Sequence, residues 1–155
     1  MNHITKRRKK MKTKNNQSEV AGSHYEKLNV EPVILFREFD LNWFQGEIIK
    51  YVSRFKNKNG LQDLNKASHI AQMAIDLGIK GIPYSYDLTE DGKALIGEYT
   101  SQFANLFSLT KDDELNKRYY IKFVDIIYFT IRGEWETVWS DLEDLKYYFY
   151  GEEEV

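Results

Sequence analysis

Four side chains between positions 50 and 58 carry the chemistry that can be read most directly from this sequence. Lys50, Tyr51, Arg54 and Lys58 fall on one side of a segment with helical period, while Ile48, Val52 and Phe55 fall on the other. Lys50 and Arg54 are four apart and project side by side, where like charges repel slightly. An anion held between them would remove that repulsion. Phosphate suits the pair, because arginine offers a planar fork and lysine a mobile point charge. Glu47 shares this face, so the alternative is a solvated helix surface on which Glu47 balances part of the charge.

These residues need a helix and a sharp turn to hold them. Asn42 is placed to cap a helix that begins at position 43. Asn59-Gly60 supplies residue types that tolerate positive φ, so the helix can stop there. A second helix then carries Leu64, Ala67, Ile70, Ala71, Ala74, Ile75 and Leu77 at three/four spacing and ends at Gly78. Asp63 lies in its first turn, where a carboxylate favours the positive end of the dipole. His69 sits mid-helix among apolar neighbours and reads as structural rather than as a ligand. The expectation is a helix-turn-helix hairpin over residues 43–77. Upstream, Glu31-Pro32 opens a short helix, with proline in the first turn, burying Val33, Ile34, Phe36 and Phe39. Before it, His24 follows Ser23 and precedes Tyr25 in a loop. His24 can donate to a phosphate or act as an acid or base near neutral pH, or simply bond to backbone.

Downstream, Gly78, Gly81, Pro83 and Gly92 mark residues 78–93 as a connecting loop. A helix from about Thr89 runs through Leu95, Tyr99, Phe103 and Phe107. Thr110, followed by Lys111-Asp112-Asp113-Glu114, reads as the start of another helix, because acids fill its first turn. Tyr119 to Ile131 is apolar or aromatic throughout most of its length. Lys122 and Asp125, three apart, favour a helix there by pairing along it. Gly133 interrupts, and a last helix carries Trp135, Val138, Trp139, Leu142, Leu145, Tyr148 and Phe149. The fold expected is all-α: a disordered basic tail over 1–22, then one helical domain over 23–155 with an aromatic-rich C-terminal half over 94–155. Fourteen of the 23 aromatic residues lie between positions 99 and 150. So many imply contact with a second copy or another partner.

Composition limits the function classes. The 155 residues are 42% apolar and include no cysteine, which removes disulfides and thiolate chemistry. No run is apolar enough to span a membrane, and the basic N-terminus lacks the apolar segment of a signal peptide. A soluble, cytoplasmic protein is expected. Residues 1–14 hold seven of the 22 Lys and Arg and no acid, leaving 15 bases against 24 acids beyond them. Nucleic acid could therefore be touched only by the tail. Met11 also reads as an alternative start. There is no G-x-x-x-x-G-K-[ST] phosphate loop, since Asp87 stands where its first glycine would be and Ala94 follows Gly92-Lys93. His3, His24 and His69 have no metal-ligand spacing, so no metal site is expected. An all-α nucleotide pyrophosphatase would need E-x-x-E, and position 50, which would complete it with Glu47, is lysine.

Ser23-His24-Tyr25, Glu31-Pro32 and the stretch from Gly46 to Ala67 together resemble a family of small phage proteins. Its pattern is S-H-Y, then G-N-x-I-K-Y-x-x-R, then K-x-G-x-x-D-L-x-K-A. The resemblance covers roughly residues 23–77, and one branch of the family is a nucleoside-monophosphate kinase without a Walker motif. It implies shared polar positions at His24, Tyr25, Lys50, Tyr51, Arg54, Lys58, Asp63 and Lys66. In that reading Lys50 and Arg54 hold phosphates, and Lys58 or Lys66 steadies the transferred group. Asp63 orients a lysine or accepts a proton, or serves only as a helix-start carboxylate. ATP or another nucleotide would be the phosphate donor, in the cytoplasm of a host cell. Glu47 stands where the family usually has asparagine, and a carboxylate beside Lys50 weakens its hold on phosphate. The alternative from another class is a non-catalytic protein that sequesters a nucleotide or binds a host protein.

Overall fold

The computed structural model describes residues 30–81, 88–108 and 112–151. His24, Tyr25, the basic tail, Pro83, Thr110 and the terminal glutamates lie outside the described residues. Six α-helices are present among the described residues, with no strand: α1 (Pro32–Phe39), α2 (Trp43–Arg54), α3 (Leu61–Leu77), α4 (Glu90–Ser101), α5 (Asp113–Arg132) and α6 (Trp135–Tyr150). Short 3₁₀ turns at Phe55–Asn57 and Ala104–Phe107 follow α2 and α4. Two helical hairpins, α2–α3 and α5–α6, form the frame, with α3 packed on α6 and α2 on α5. The α4 helix lies against α5 and α1.

The core comes from the apolar stripe of each helix. Ile48, Val52 and Phe55 are buried as their period requires, together with Leu64, Ala67, Ala71 and Ala74 of α3. The alanines of α3 allow its backbone to approach its neighbours closely. From α5 come Phe123, Ile126, Ile127 and Ile131, and from α6 Val138, Leu142 and Leu145. In α1 it is Ile34 and Leu35 that are buried, while Val33, Phe36 and Phe39 only pack against the core edge. The aromatic residues are spent mostly inside. Phe107 is ringed by Tyr120, Phe123, Tyr148 and Phe149, and only Trp139 and Tyr147 of the C-terminal aromatics are exposed.

Helix ends follow local chemistry. Asn42 and Gln45 make a reciprocal capping box at the start of α2, and Thr89 accepts from the Gly92 N–H to begin α4. The cap of α5 is Asp112 rather than Thr110, because its carboxylate accepts from the Leu115 N–H and leaves Asp113 and Glu114 in the first turn. The α4 helix stops at Ser101, so Phe103 and Phe107 enter the core from a turn and a 3₁₀ segment instead of a continuing helix. His69 is on the exposed face of α3, one position away from the buried stripe.

One polar node joins the two hairpins. The buried Gln45 amide donates to the carbonyls of Thr130 (3.3 Å) and Ile131 (2.7 Å) at the end of α5. Its oxygen accepts from the Asn42 N–H at 2.7 Å. The Asn42 amide reaches the Lys80 carbonyl at 3.0 Å, and the Trp135 indole N–H reaches that of Ile79 at 2.7 Å. Side-chain donors thus satisfy the Ile131 carbonyl at the end of α5 and those of Ile79 and Lys80 just beyond α3, and add a second bond to the Thr130 carbonyl, which also accepts from the Gly133 N–H. Beside this node Gly81 meets the α5–α6 corner so closely that a Cβ on it would lie 2.5 Å from Gly133 N.

The α5–α6 seam carries a second polar group. Lys122 does not pair along its own helix with Asp125. It crosses to α6 and meets Asp144 at 2.9 Å and Asp141 at 3.3 Å, because its side chain leans toward the neighbouring helix. The Asp144 bond holds the Lys122 ammonium above its usual range. Burial, above all, raises the Asp141 carboxyl, against the hydrogen bond and charge of Lys122.

Two outcomes are expected from these nodes. Gln45→Ala leaves the Ile131 carbonyl and the Asn42 N–H without partners and removes one of two bonds to the Thr130 carbonyl, so it should lower unfolding free energy by about 1–3 kcal/mol in urea melts. Lys122→Met should destabilise by about 1–2 kcal/mol at neutral pH. Lys122 favours ionised Asp141, so the loss should be full above the carboxylate range and shrink as pH falls toward about 4. Urea melts at both pH values check it; an equal loss at both would exclude the carboxylate partners.

Candidate anion site on the α2–α3 hairpin

The turn between α2 and α3 is closed by one carboxylate. Asp63 is buried, with a side-chain exposure of 0%, and accepts from Arg54 Nε and Nη2 at 3.3 Å each. It also accepts from the Asn59 N–H at 3.2 Å. The Arg54–Asp63 pair spans nine residues across the turn, so no helix spacing announces it. Gly60 takes φ +55°, as the turn requires, and Tyr150 of α6 packs over it. Phe55 is clasped by Phe149 and Tyr150, and Lys56 lies 4.9 Å from the Phe149 ring centroid. The end of α6 therefore braces the turn from behind, a contribution that the α2 pattern does not reveal.

In front, three cations surround one phenol. Lys50 Nζ, Arg54 Cζ and Lys66 Nζ lie 4.6, 4.8 and 5.5 Å from the centroid of the Tyr51 ring. Such contacts contribute about 0.5–1 kcal/mol each at partly exposed sites. They also concentrate three positive charges around a single ring. Two of the three are balanced. Lys50 straddles both oxygens of Glu47 at 3.0 Å, and Arg54 is tied to Asp63. Lys66 is exposed and has no ion pair among the described residues. The cluster thus has one unbalanced positive charge.

The structure therefore brings Lys50, Tyr51, Arg54, Asp63 and Lys66 together. Lys58 is exposed on the turn, and among the described residues no contact joins it to Tyr51. Asp63 has both oxygens engaged, so it positions Arg54 rather than lying open to the surface. Chemically, the cluster offers a fixed guanidinium, an ammonium shared with Glu47, and a freer ammonium. That set can receive a small multivalent anion. No group of three His, Asp or Glu able to hold a metal occurs among the described residues. No described helix is long and apolar enough to cross a membrane.

Residues 8–72 match the model of a family described as a protein of unknown function (DUF3310). The match takes in α1, α2, the turn and most of α3, and so every residue of the Tyr51 cluster. No curated protein and no solved structure matches the chain.

Removing the Asp63 carboxylate should loosen the whole hairpin. Asp63→Ala leaves Arg54 without its partner and the Asn59 N–H unbonded, and is expected to destabilise by about 3–5 kcal/mol. Guanidinium melts of the purified variant check this, and a loss no larger than that of an exposed pair would show the contact to be incidental.

Proposed function

We propose that this chain binds a nucleotide, gripping its phosphates with the cations gathered about Tyr51. The observation that carries the reading is the convergence of Lys50, Arg54 and Lys66 on that one ring, with no ion pair to Lys66 among the described residues. Arg54, anchored by Asp63, gives a fixed direction of recognition. Lys66 gives an exposed ammonium that can follow a terminal phosphate. Kinase-like transfer to a nucleoside monophosphate is the reaction that the phage-family resemblance suggests for such a site, with ATP or another nucleotide as donor. Positioning and charge stabilisation supply most of the rate in that chemistry, and these are what fixed and mobile cations offer.

A second reading has its own support. Glu47 occupies Lys50, and Asp63 has no free oxygen with which to accept a proton. Both favour a protein that holds a nucleotide without turning it over. Such a protein would act by sequestration, in the cytoplasm of a phage-infected cell.

Calorimetric titration with nucleoside mono-, di- and triphosphates should show binding that weakens as phosphates are removed. Lys66→Ala should weaken it about tenfold or more while leaving the thermal melting temperature almost unchanged. Incubation with ATP and a monophosphate, followed by product analysis, separates the readings: diphosphate formation supports transfer, and binding without product supports sequestration. No heat with any nucleotide would remove both.

A further inference from the structure

We propose that the outer face of α5 is a homodimer interface, on which two copies of the chain pair their α5 helices antiparallel about a two-fold axis beside Ile121. The inner face of this helix is fully used, since Phe123, Ile126 and Ile127 lie in the core. The outer face is not. Ile121 stands at its centre with 57% of its surface exposed. A groove of about 770 Å³ follows the same face, lined by Lys117, Arg118, Ile121, Lys122 and Asp125 among others.

The order of charges says what fits there. Asp112 and Glu114 open the groove, Lys117 (4.0 Å from Glu114) and Arg118 follow them before Ile121, and Asp125 comes after it. Arg118 and Asp125 are seven residues, or two turns, apart on one stripe, about 10 Å along the axis. An axis midway between them, at Ile121–Lys122, reverses the second helix and sets each Arg118 against the partner's Asp125. Both ion pairs form at once, flanking the two Ile121 side chains. This is the self-complementarity that a two-fold interface requires. A partner of uniform charge would match one end of the stripe and be repelled by the other.

Neither Arg118 nor Asp125 has an ion-pair partner among the described residues. Burial, and then the neighbouring Asp141, hold the Asp125 carboxyl above its usual range against the charge of Lys122. A guanidinium from a second copy would stabilise its ionised form. The interface lies on a different helix pair from the Tyr51 cluster and does not depend on the nucleotide reading.

Sedimentation velocity of the full chain over roughly a hundredfold range of concentration tests the proposal. A monomer–dimer equilibrium is expected. Arg118→Asp and Asp125→Arg, made separately, should each weaken the dimer about tenfold or more. The double variant R118D/D125R, which exchanges the charges, should restore it. Far-UV dichroism confirms that each variant is folded, and Ile121→Lys gives an independent disruption. A chain that stays monomeric throughout overturns the proposal. So does a dimer indifferent to both single changes, or one that the double exchange fails to recover.

Discussion

The Asp63 carboxylate is the constraint on which the hairpin depends. It is removed from water, and a buried carboxylate is tolerated only when its oxygens are fully engaged. Arg54 and the Asn59 N–H provide that. The pair therefore does two jobs at once. It fixes the path of the chain from the end of α2 to the start of α3, and it fixes a guanidinium at the edge of the Tyr51 ring. A salt bridge on the surface would do neither, since solvent and side-chain entropy would leave both ions free to separate.

Support for that pair comes from the far end of the chain. Tyr150 and Phe149, the last residues of α6, pack on Gly60 and Phe55. The same helix is held to α3 by Lys146, whose ammonium meets Asn65 and Glu143, and by Ser68, which donates to Glu143. At the opposite end of the frame Gln45 caps α5. The Tyr51 cluster thus sits on a hairpin gripped at both ends by the C-terminal half. Such bracing suits a recognition surface, because an anion is bound more tightly by groups that need not be reorganised. Part of the aromatic density after position 99 serves this bracing, through Phe149 and Tyr150, while Phe107, Tyr120, Phe123 and Tyr148 pack with one another beside them.

What was legible in the sequence was local. Ile48, Val52 and Phe55 were recognisable as a buried face by period alone, Asn42 as a cap by its type, Gly60 as a turn position of positive φ, and Gly78 and Gly133 as the points where helices end. Pro32 marked the start of α1 in the same way. The convergence of Lys50 and Arg54 also followed from spacing. The contacts that escaped are those between elements. Lys122 had an acid three residues away and still turned to α6. Asn42 was legible as a cap, but Gln45, which completes its capping box and whose amide serves a helix 85 residues on, was not. Asp63 was recognisable as a helix-start carboxylate, but its bond to Arg54 appears only once the turn brings nine residues back on themselves. Asp40 takes a left-handed conformation at the end of α1, where a glycine would have announced it and an aspartate did not.

The charge arrangement of the cluster carries its own consequence. Arg54 cannot leave Asp63 without stranding a buried carboxylate, so it meets an incoming anion with the donors that Asp63 does not use. Lys50 is different. Its partner Glu47 is partly exposed, with 22% of its side chain open, and can turn to water when a stronger anion arrives. Lys66 needs no exchange at all. Three cations of equal formal charge therefore present three different costs to a ligand: none at Lys66, the displacement of a surface carboxylate at Lys50, and a fixed reach at Arg54. An anion with several oxygens and more than one charge gains from all three sites, whereas a single carboxylate offers Lys50 nothing that Glu47 does not already supply. On the reading proposed above, the hairpin would discriminate by anion charge, and phosphate chains would be the class that benefits.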